Sequence, residues 1–136
     1  MRLNPHLVFR GQCEAAFQFY AKALGGKIAM MMRFEDSPAA AQVPPDWRRK
    51  IIHATLTVGE QVLQASDAPA DRYDKPQGFS VNLNLESVAD AERIFKTLAE
   101  NGDVQMPIQE TFWARRFGML VDQFGTPWMI NCGRPA

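Results

Sequence analysis

The chain has 136 residues, enough for one ordinary domain with a real core by the usual ~100 to 200 residues per domain. Fifteen Lys and Arg balance fifteen Asp and Glu, so no excess positive charge is available for a phosphate backbone or an anionic membrane surface, and nucleic-acid and membrane partners are not expected. No run approaches the roughly 18 apolar residues of a spanning helix, and Met1-Arg2-Leu3-Asn4-Pro5 carries no apolar signal region, so a cytoplasmic location is expected.

In chain order, residues 5–9 read as a short strand. Cys13, Ala16, Phe17, Tyr20 and Leu24 then recur at helical spacing, and Gly25-Gly26 supplies the left-handed residue that ends a helix. A strand over Lys27–Arg33 follows. Residues 34–50 contain Ser37-Pro38 and Pro44-Pro45, which preclude a regular element; a connection this long is expected to be a lid or a dimer arm, with a disordered excursion as the alternative. Ile51–Val58 and residues 61–66 are strand-like. The second half opens with strict alternation over residues 79–85. A helix is then capped by Ser87, striped by Val88, Ala91, Phe95 and Leu98, and ended by Asn101-Gly102. Strands over residues 104–110, 117–121 and 127–132 complete it, the last two joined by a tight Asp122-Gln123-Phe124-Gly125 turn. The order β-α-β-β-β thus occurs twice, giving modules at residues 1–70 and 77–134 of a single domain, 1–136.

Strand alternation sorts the side chains by face. Ile52, Ala54, Leu56 and Val58 oppose His53, Thr55 and Thr57, while Leu63 and Ala65 oppose Gln64 and Ser66. In the last strand Trp128, Ile130 and Cys132 oppose Pro127, Met129 and Asn131. The helices should cover the apolar faces. The other face carries His53, Thr55, Gln64, Ser80, Asn82, Asn84, Met129 and Asn131, which are polar but uncharged, as suits a sheltered cavity better than open solvent.

Within that face His53 is the leading candidate for a base, a ligand or a donor to substrate, against a histidine bonded to a neighbour for structural reasons. His6 could share its cavity, although an edge or interface histidine is the simpler reading. Glu110, at a strand end before Thr111-Phe112-Trp113, suits proton transfer or metal ligation if the setting is apolar, against a carboxylate paired with Arg115 or Arg116. Trp113, Phe112 and Phe117 could wall a pocket for a planar ligand. Arg115-Arg116 could clamp an oxyanion but reads more simply as a solvated turn. Cys13 and Cys132 have no local His partner and are expected to be buried, reduced thiols. Without Cys-x-x-Cys or a His-rich cluster, structural zinc is not indicated. Nucleotide, phosphate-loop and nucleophile-elbow motifs are all missing from the sequence.

Several segments together resemble the vicinal oxygen chelate superfamily, the glyoxalase/bleomycin-resistance/dioxygenase fold, and within it the PhnB-like group. They are Pro5-His6-Leu7-Val8-Phe9 with Gly11, Glu14-Ala15, Phe19-Tyr20 through Leu24-Gly25-Gly26, His53-Ala54, Ser66-Asp67, Glu110-Thr111-Phe112-Trp113, Phe117-Gly118 and Asp122 through Asn131. The resemblance spans nearly the whole chain, and its Glu-Thr-Phe-Trp and Trp-Met-Ile-Asn segments are the most particular to the group.

The resemblance implies an α+β fold of two tandem βαβββ modules forming a curved mixed sheet around a cavity, helices on the outer face, within a homodimer. It also implies a small organic ligand. Two readings of that cavity follow. One is lyase, isomerase or hydrolase chemistry with His53 and Glu110 as acid/base or metal groups; the other is metal-free binding or sequestration. Gln64, Asn82, Trp113, Phe117, Met129 and Asn131 would contact the ligand in either. Metal-using members of the superfamily draw His, Gln or Glu from the first and last strands of each module, where this chain offers Asn4 or His6, Gln64, Ser80 and Met129. Glu is common at the position of Met129, and a thioether suits Mg, Mn or Fe(II) poorly. No cofactor is therefore assured, a divalent metal stays open, and its ligands are not assigned. Relatives in the group have been called 3-demethylubiquinone 3-methyltransferases, but the chain lacks the glycine-rich turn of a doubly wound nucleotide-binding sheet.

Overall fold

The computed structural model describes residues 1–134. By its internal contacts the chain divides into two compact units, one covering Met1–Asp74 and the other running from Lys75 onward. Each unit is built as βαβββ with one α-helix and one four-stranded mixed sheet.

In the first unit β1 (His6–Phe9), α1 (Cys13–Leu24), β2 (Lys27–Arg33), β3 (Ile51–Val58) and β4 (Gln61–Asp67) form a sheet in the order β1-β4-β3-β2. The β1–β4 pair is parallel and the others antiparallel. The expected helical stripe is buried at Cys13, Ala16, Phe17 and Tyr20, with Ala23 rather than Leu24 completing it. These side chains meet the sheet through the rings of Phe9, Phe17 and Tyr20, whose centroids lie 6.1 to 6.3 Å apart. Gly25, at φ 68°, takes the left-handed conformation that ends the helix.

No side chain at Gln12 caps the start of α1. The cap comes from β4: one Asp67 carboxylate oxygen accepts from the backbone N–H groups of Gly11 (3.0 Å) and Cys13 (2.9 Å), and the other accepts from Ile51 N–H (2.9 Å). One buried carboxylate thereby ties the end of β1, the start of α1 and the start of β3 to the end of β4. Burial holds this carboxyl above the usual carboxylate range in spite of those three bonds and nearby Lys50.

The second unit repeats the scheme with β5 (Val81–Leu85), α2 (Val88–Leu98), β6 (Asp103–Gln109), β7 (Ala114–Val121) and β8 (Pro127–Gly133), in the order β5-β8-β7-β6. Ser87 Oγ caps α2 by accepting from Asp90 N–H, and Ala91, Ile94, Phe95 and Leu98 are its buried face. Helix and sheet approach closely at Gly118, where a Cβ would lie 2.6 Å from Phe95 Cε2. The Asp122 turn forms as expected: its side chain accepts from Phe124 and Thr126 N–H and from Trp128 Nε1 (2.8 Å), and Gly125 sits at φ 91°.

Two expectations need correction. Residues 34–50 are not devoid of regular structure but hold three short 3-10 helices, Phe34–Asp36, Pro38–Gln42 and Pro45–Trp47; proline at the start of the latter two fixes φ where no N–H partner is required. Arg115 and Arg116 are not a solvated turn but part of β7. Arg115 donates to the carbonyls of Gly133 and Glu86, and Arg116 to the Glu92 carboxylate.

Candidate functional site

In each unit the helix-free face carries corresponding rows of side chains. In the first, His6 pairs with Gln64, Gln64 with Thr55, and Thr55 with Met30. Beside that row, Val8 pairs with Ser66 and Met32 with His53. The His6 and His53 rings stack with centroids 6.0 Å apart and planes 28° from parallel, and His6 Nε2 lies 3.0 Å from Ser66 Oγ. Burial, then the neighbouring His53, lowers the His6 pKa, so its imidazole stays neutral further into acid than a free one. The structure therefore brings together His53, Gln64 and His6, the three first-unit candidates.

The second unit gives the matching rows. Asn82 pairs with Met129, Met129 with Met119, and Met119 with Met106. Next to them Asn84 pairs with Asn131, Asn131 with Phe117, and Phe117 with Gln109. Asn131 Nδ2 donates to Asn84 Oδ1 (3.1 Å), while Asn131 Oδ1 is buried and has no hydrogen-bond partner among the described residues. Trp113 packs edge-on against Phe117 at 5.2 Å and against Phe112 at 4.8 Å. Asn82, Met129, Asn131, Phe117 and Trp113 thus occupy one region. Trp128 lies on the opposite, buried face, as the alternation requires.

Glu110 lies in the β6–β7 connection, and its side chain is 62% exposed. Its partner is Arg134, at 3.0 Å, instead of Arg115 or Arg116. Solvent and the Arg134 guanidinium surround it, not the apolar cavity mouth expected from the sequence. Both thiols are buried and free; burial, with Asp67 and Glu14 nearby, pushes the Cys13 thiol far up and leaves it unreactive.

The strand register fixes which residues stand side by side on the first and last strands of each unit, the strands from which the resemblance would draw metal ligands. In the first unit the neighbours at the first and last strands are His6 and Gln64, since Asn4 precedes β1. In the second they are Asn82 and Met129, since Ser80 precedes β5. The first pair offers an imidazole and an amide, the second an amide and a thioether; neither pair contains a carboxylate, and neither fits a hard divalent ion, which seeks anionic oxygen. Among the described residues, no group of three or more His, Cys, Asp and Glu is placed to hold a metal.

A cavity of about 390 Å³ in the first unit was not foreseen from the sequence. Gly11, Glu14, Arg33, Asp46, Arg49, Lys50, Ile51 and Asp67 line it. Much of its charge is internally committed: Arg33 pairs with Glu14 at 2.8 Å and donates to the Arg49 carbonyl, while Lys50 Nζ donates to the Gly11 carbonyl. The cluster joins residues far apart in sequence, and only the charge density of residues 46–50 hinted at it.

Two βαβββ units with helix-free polar faces define a class of fold, and a family model for the Glyoxalase/Bleomycin resistance protein/Dioxygenase superfamily matches residues 2–130; the chain belongs to that superfamily. Among particular relatives, it is 36% identical to protein YjdN of Escherichia coli K12, over 96% of this chain and 95% of that one. The crystal structure of protein PA1353 from Pseudomonas aeruginosa superposes with a TM-score of 0.90 at 46% identity, covering 99% of each chain. A PhnB protein from Bacillus cereus, which also bears a 3-demethylubiquinone-9 3-methyltransferase name, superposes with a TM-score of 0.83 at 23% identity, over 98% of this chain and 100% of that one. At that identity the likeness concerns fold alone. No helix among the described residues is long and apolar enough to cross a membrane.

Proposed function

We propose that this chain binds a small organic molecule on the helix-free face of its second unit, without a hard divalent ion. The observation that carries this reading is the buried, unpartnered Oδ1 of Asn131. Leaving such an acceptor unpaired costs about 1 to 3 kcal/mol, which a ligand donor would recover. Phe117 and Met129 flank the amide, and Trp113 packs on Phe117; they suit a planar or apolar body attached to an N–H or O–H group. The carboxylate-free donor set at the superfamily's metal positions supports the metal-free part of the proposal.

The test is an NMR screen of small planar amides, phenols and acids against the full-length protein. Binders should shift the side-chain amide of Asn131 and the Trp113 indole together, and weaken by roughly tenfold or more in Asn131→Leu, the loss of one well-placed hydrogen bond in a sheltered site. Binders that shift neither group would remove the proposal.

The stacked histidines support a second reading, acid–base chemistry of lyase or isomerase type at His53, with neutral His6 beside it. Glu110 is paired with Arg134 and is not part of this reading. A turnover rate unaffected by His53→Gln would dispose of this reading. We also propose that the chain forms a homodimer, since β1, β2, β5 and β6 are sheet edges and edges are normally paired or covered.

A further inference from the structure

We propose that the cavity of the first unit binds a small zwitterion, a molecule carrying one carboxylate and one ammonium group, held by Arg49 and Asp46. The segment that supplies both residues is not required by the βαβββ scheme. In the second unit β6 and β7 are joined by residues 110–113 alone, whereas the corresponding β2 and β3 are separated by residues 34–50. The longer connection is ordered. Phe34 N–H donates to the Lys50 carbonyl and Glu35 N–H to the Arg48 carbonyl, closing its base, while Trp47 N–H donates to the Pro44 carbonyl and Lys50 N–H to that of Trp47. A Cβ at Gly11 would lie 3.3 Å from both Lys50 Cε and Trp47 Cη2, so glycine is what lets this segment approach the start of α1. Connections of such length inside a compact unit tend to serve function, and this one contributes Asp46, Arg49 and Lys50 to the cavity lining.

The charges of the lining select the ligand. Carboxylates at Glu14, Asp46 and Asp67 balance cations at Arg33, Arg49 and Lys50, so a ligand with net charge would leave one sign uncompensated. Four of the six already have partners. Glu14 pairs with Arg33 at 2.8 Å, Asp67 accepts from three backbone N–H groups, and Lys50 Nζ donates to the Gly11 carbonyl at 2.9 Å. The side chains of Asp46 and Arg49 have neither an ion pair nor a hydrogen bond among the described residues, with each other or with any other group. One anion and one cation thus line the same space of about 390 Å³ unpaired, a volume ordinary for small-molecule sites. A monoanion there would gain Arg49 and be repelled by Asp46, and a monocation the reverse; a zwitterion meets both. Guanidinium forks match carboxylates, and Asp46 can accept from the ammonium. The indole N–H of Trp47, beside Lys50, is another donor that this segment leaves unsatisfied. Asp46 and Arg49 are exposed, which sets them at the cavity mouth and makes binding sensitive to salt. The proposal does not depend on organic-ligand binding at Asn131, which belongs to the other unit.

The experiment is an NMR titration of the full-length protein at low salt with glycine, β-alanine and γ-aminobutyrate, which set the two charges progressively further apart. The controls are the matching acids, acetate, propionate and butyrate, and the matching amines, methylamine, ethylamine and propylamine. At least one of the amino acids should move the Arg49 and Ile51 amide signals and the Trp47 indole signal together, saturating at one molecule per chain. Its matching acid and amine should each bind roughly tenfold or more weakly, because each lacks one charge-assisted contact. Arg49→Gln and Asp46→Asn should each lower the affinity for the amino acid by a similar factor, and in Asp46→Asn the amino acid should bind no more tightly than the acid. Neither side chain makes a bond in the parent, so both variants should keep its amide spectrum outside the cavity; the comparison with acids and amines needs no variant and stands by itself. An acid or amine that binds as tightly as its amino acid, no saturable shift with any of the three amino acids, or unchanged affinity in either variant would each overturn the site. None of these results bears on the Asn131 proposal, whose reporters are the Asn131 amide and the Trp113 indole.

Discussion

Replacing Asn131 with leucine separates binding from folding. The change removes a buried acceptor without a partner among the described residues and leaves Asn84, an exposed amide, to water. Stability should stay within about 1 kcal/mol of the parent or rise, as read by urea unfolding, while ligand affinity falls. A loss of several kcal/mol would mean that the amide serves the fold. His6 offers a pH test. Its folded-state pKa lies below the ordinary 6.5, so as pH falls beneath 6.5 the unfolded chain takes up this proton before the native one does. The neutral imidazole's contribution is thus present above 6.5 and is lost as pH drops toward the lowered pKa. An NMR titration should place the His6 midpoint below 6.5, and His53→Asn should restore it only in part, because burial is the larger cause and the charge of His53 the smaller. Full restoration would reverse that ranking.

Among the elements, Asp67 joins β1, α1, β3 and β4 through three backbone N–H groups. Asp67→Ala would strand these donors, so a destabilisation of about 3 kcal/mol or more is expected in urea unfolding. A cost under about 1 kcal/mol would show that another group caps α1. Gly118 sets the approach of α2 to its sheet. In the first sheet the corresponding position, by register, is Ala54, which faces Ala65 as Gly118 faces Ile130. Gly118→Ala would press a methyl against Phe95 and the Ile108 backbone, and overpacking of that kind costs about 1 to 3 kcal/mol. Thermal unfolding of this variant checks it; an unchanged midpoint would mean that α2 moves away freely.

These elements also show how far the sequence could be read. Period-two and helical spacing located both helices and the faces of β3, β4, β5 and β8, because burial of one face imposes those periods on the sequence itself. The Asp67 cap was not legible: its donors lie 54 and 56 residues away, and no local pattern encodes so distant a bond. Nor was the alignment of Met106 with Met119, which depends on register shifts in β6 that follow no sequence period. Arg115 and Arg116 resembled a turn because consecutive charges usually mark solvent, yet long arginine side chains reach carbonyls and carboxylates at a strand's margin. The candidates His53, Gln64, Asn82, Met129 and Asn131 were readable as members of polar faces; that Asn131 holds a buried orphan acceptor, and that Glu110 pairs with Arg134, required the three-dimensional arrangement.

For the whole molecule, the four sheet edges and the exposed Met30, Met32, Phe112 and Trp113 support the proposed homodimer. Light scattering should give a mass about twice the 15.3 kDa of one chain; the mass of a single chain at all concentrations would dismiss it. The broader proposal is that this superfamily member has exchanged a hard-metal position for neutral amide and thioether donors and binds organic molecules there. Paramagnetic Mn(II), added at one equivalent to the metal-stripped full-length protein, tests this most directly. The side-chain amide signals of Gln64 and Asn82, which adjoin His6 and Met129, should keep their linewidths. Saturable broadening of either signal at one ion per chain would contradict the account.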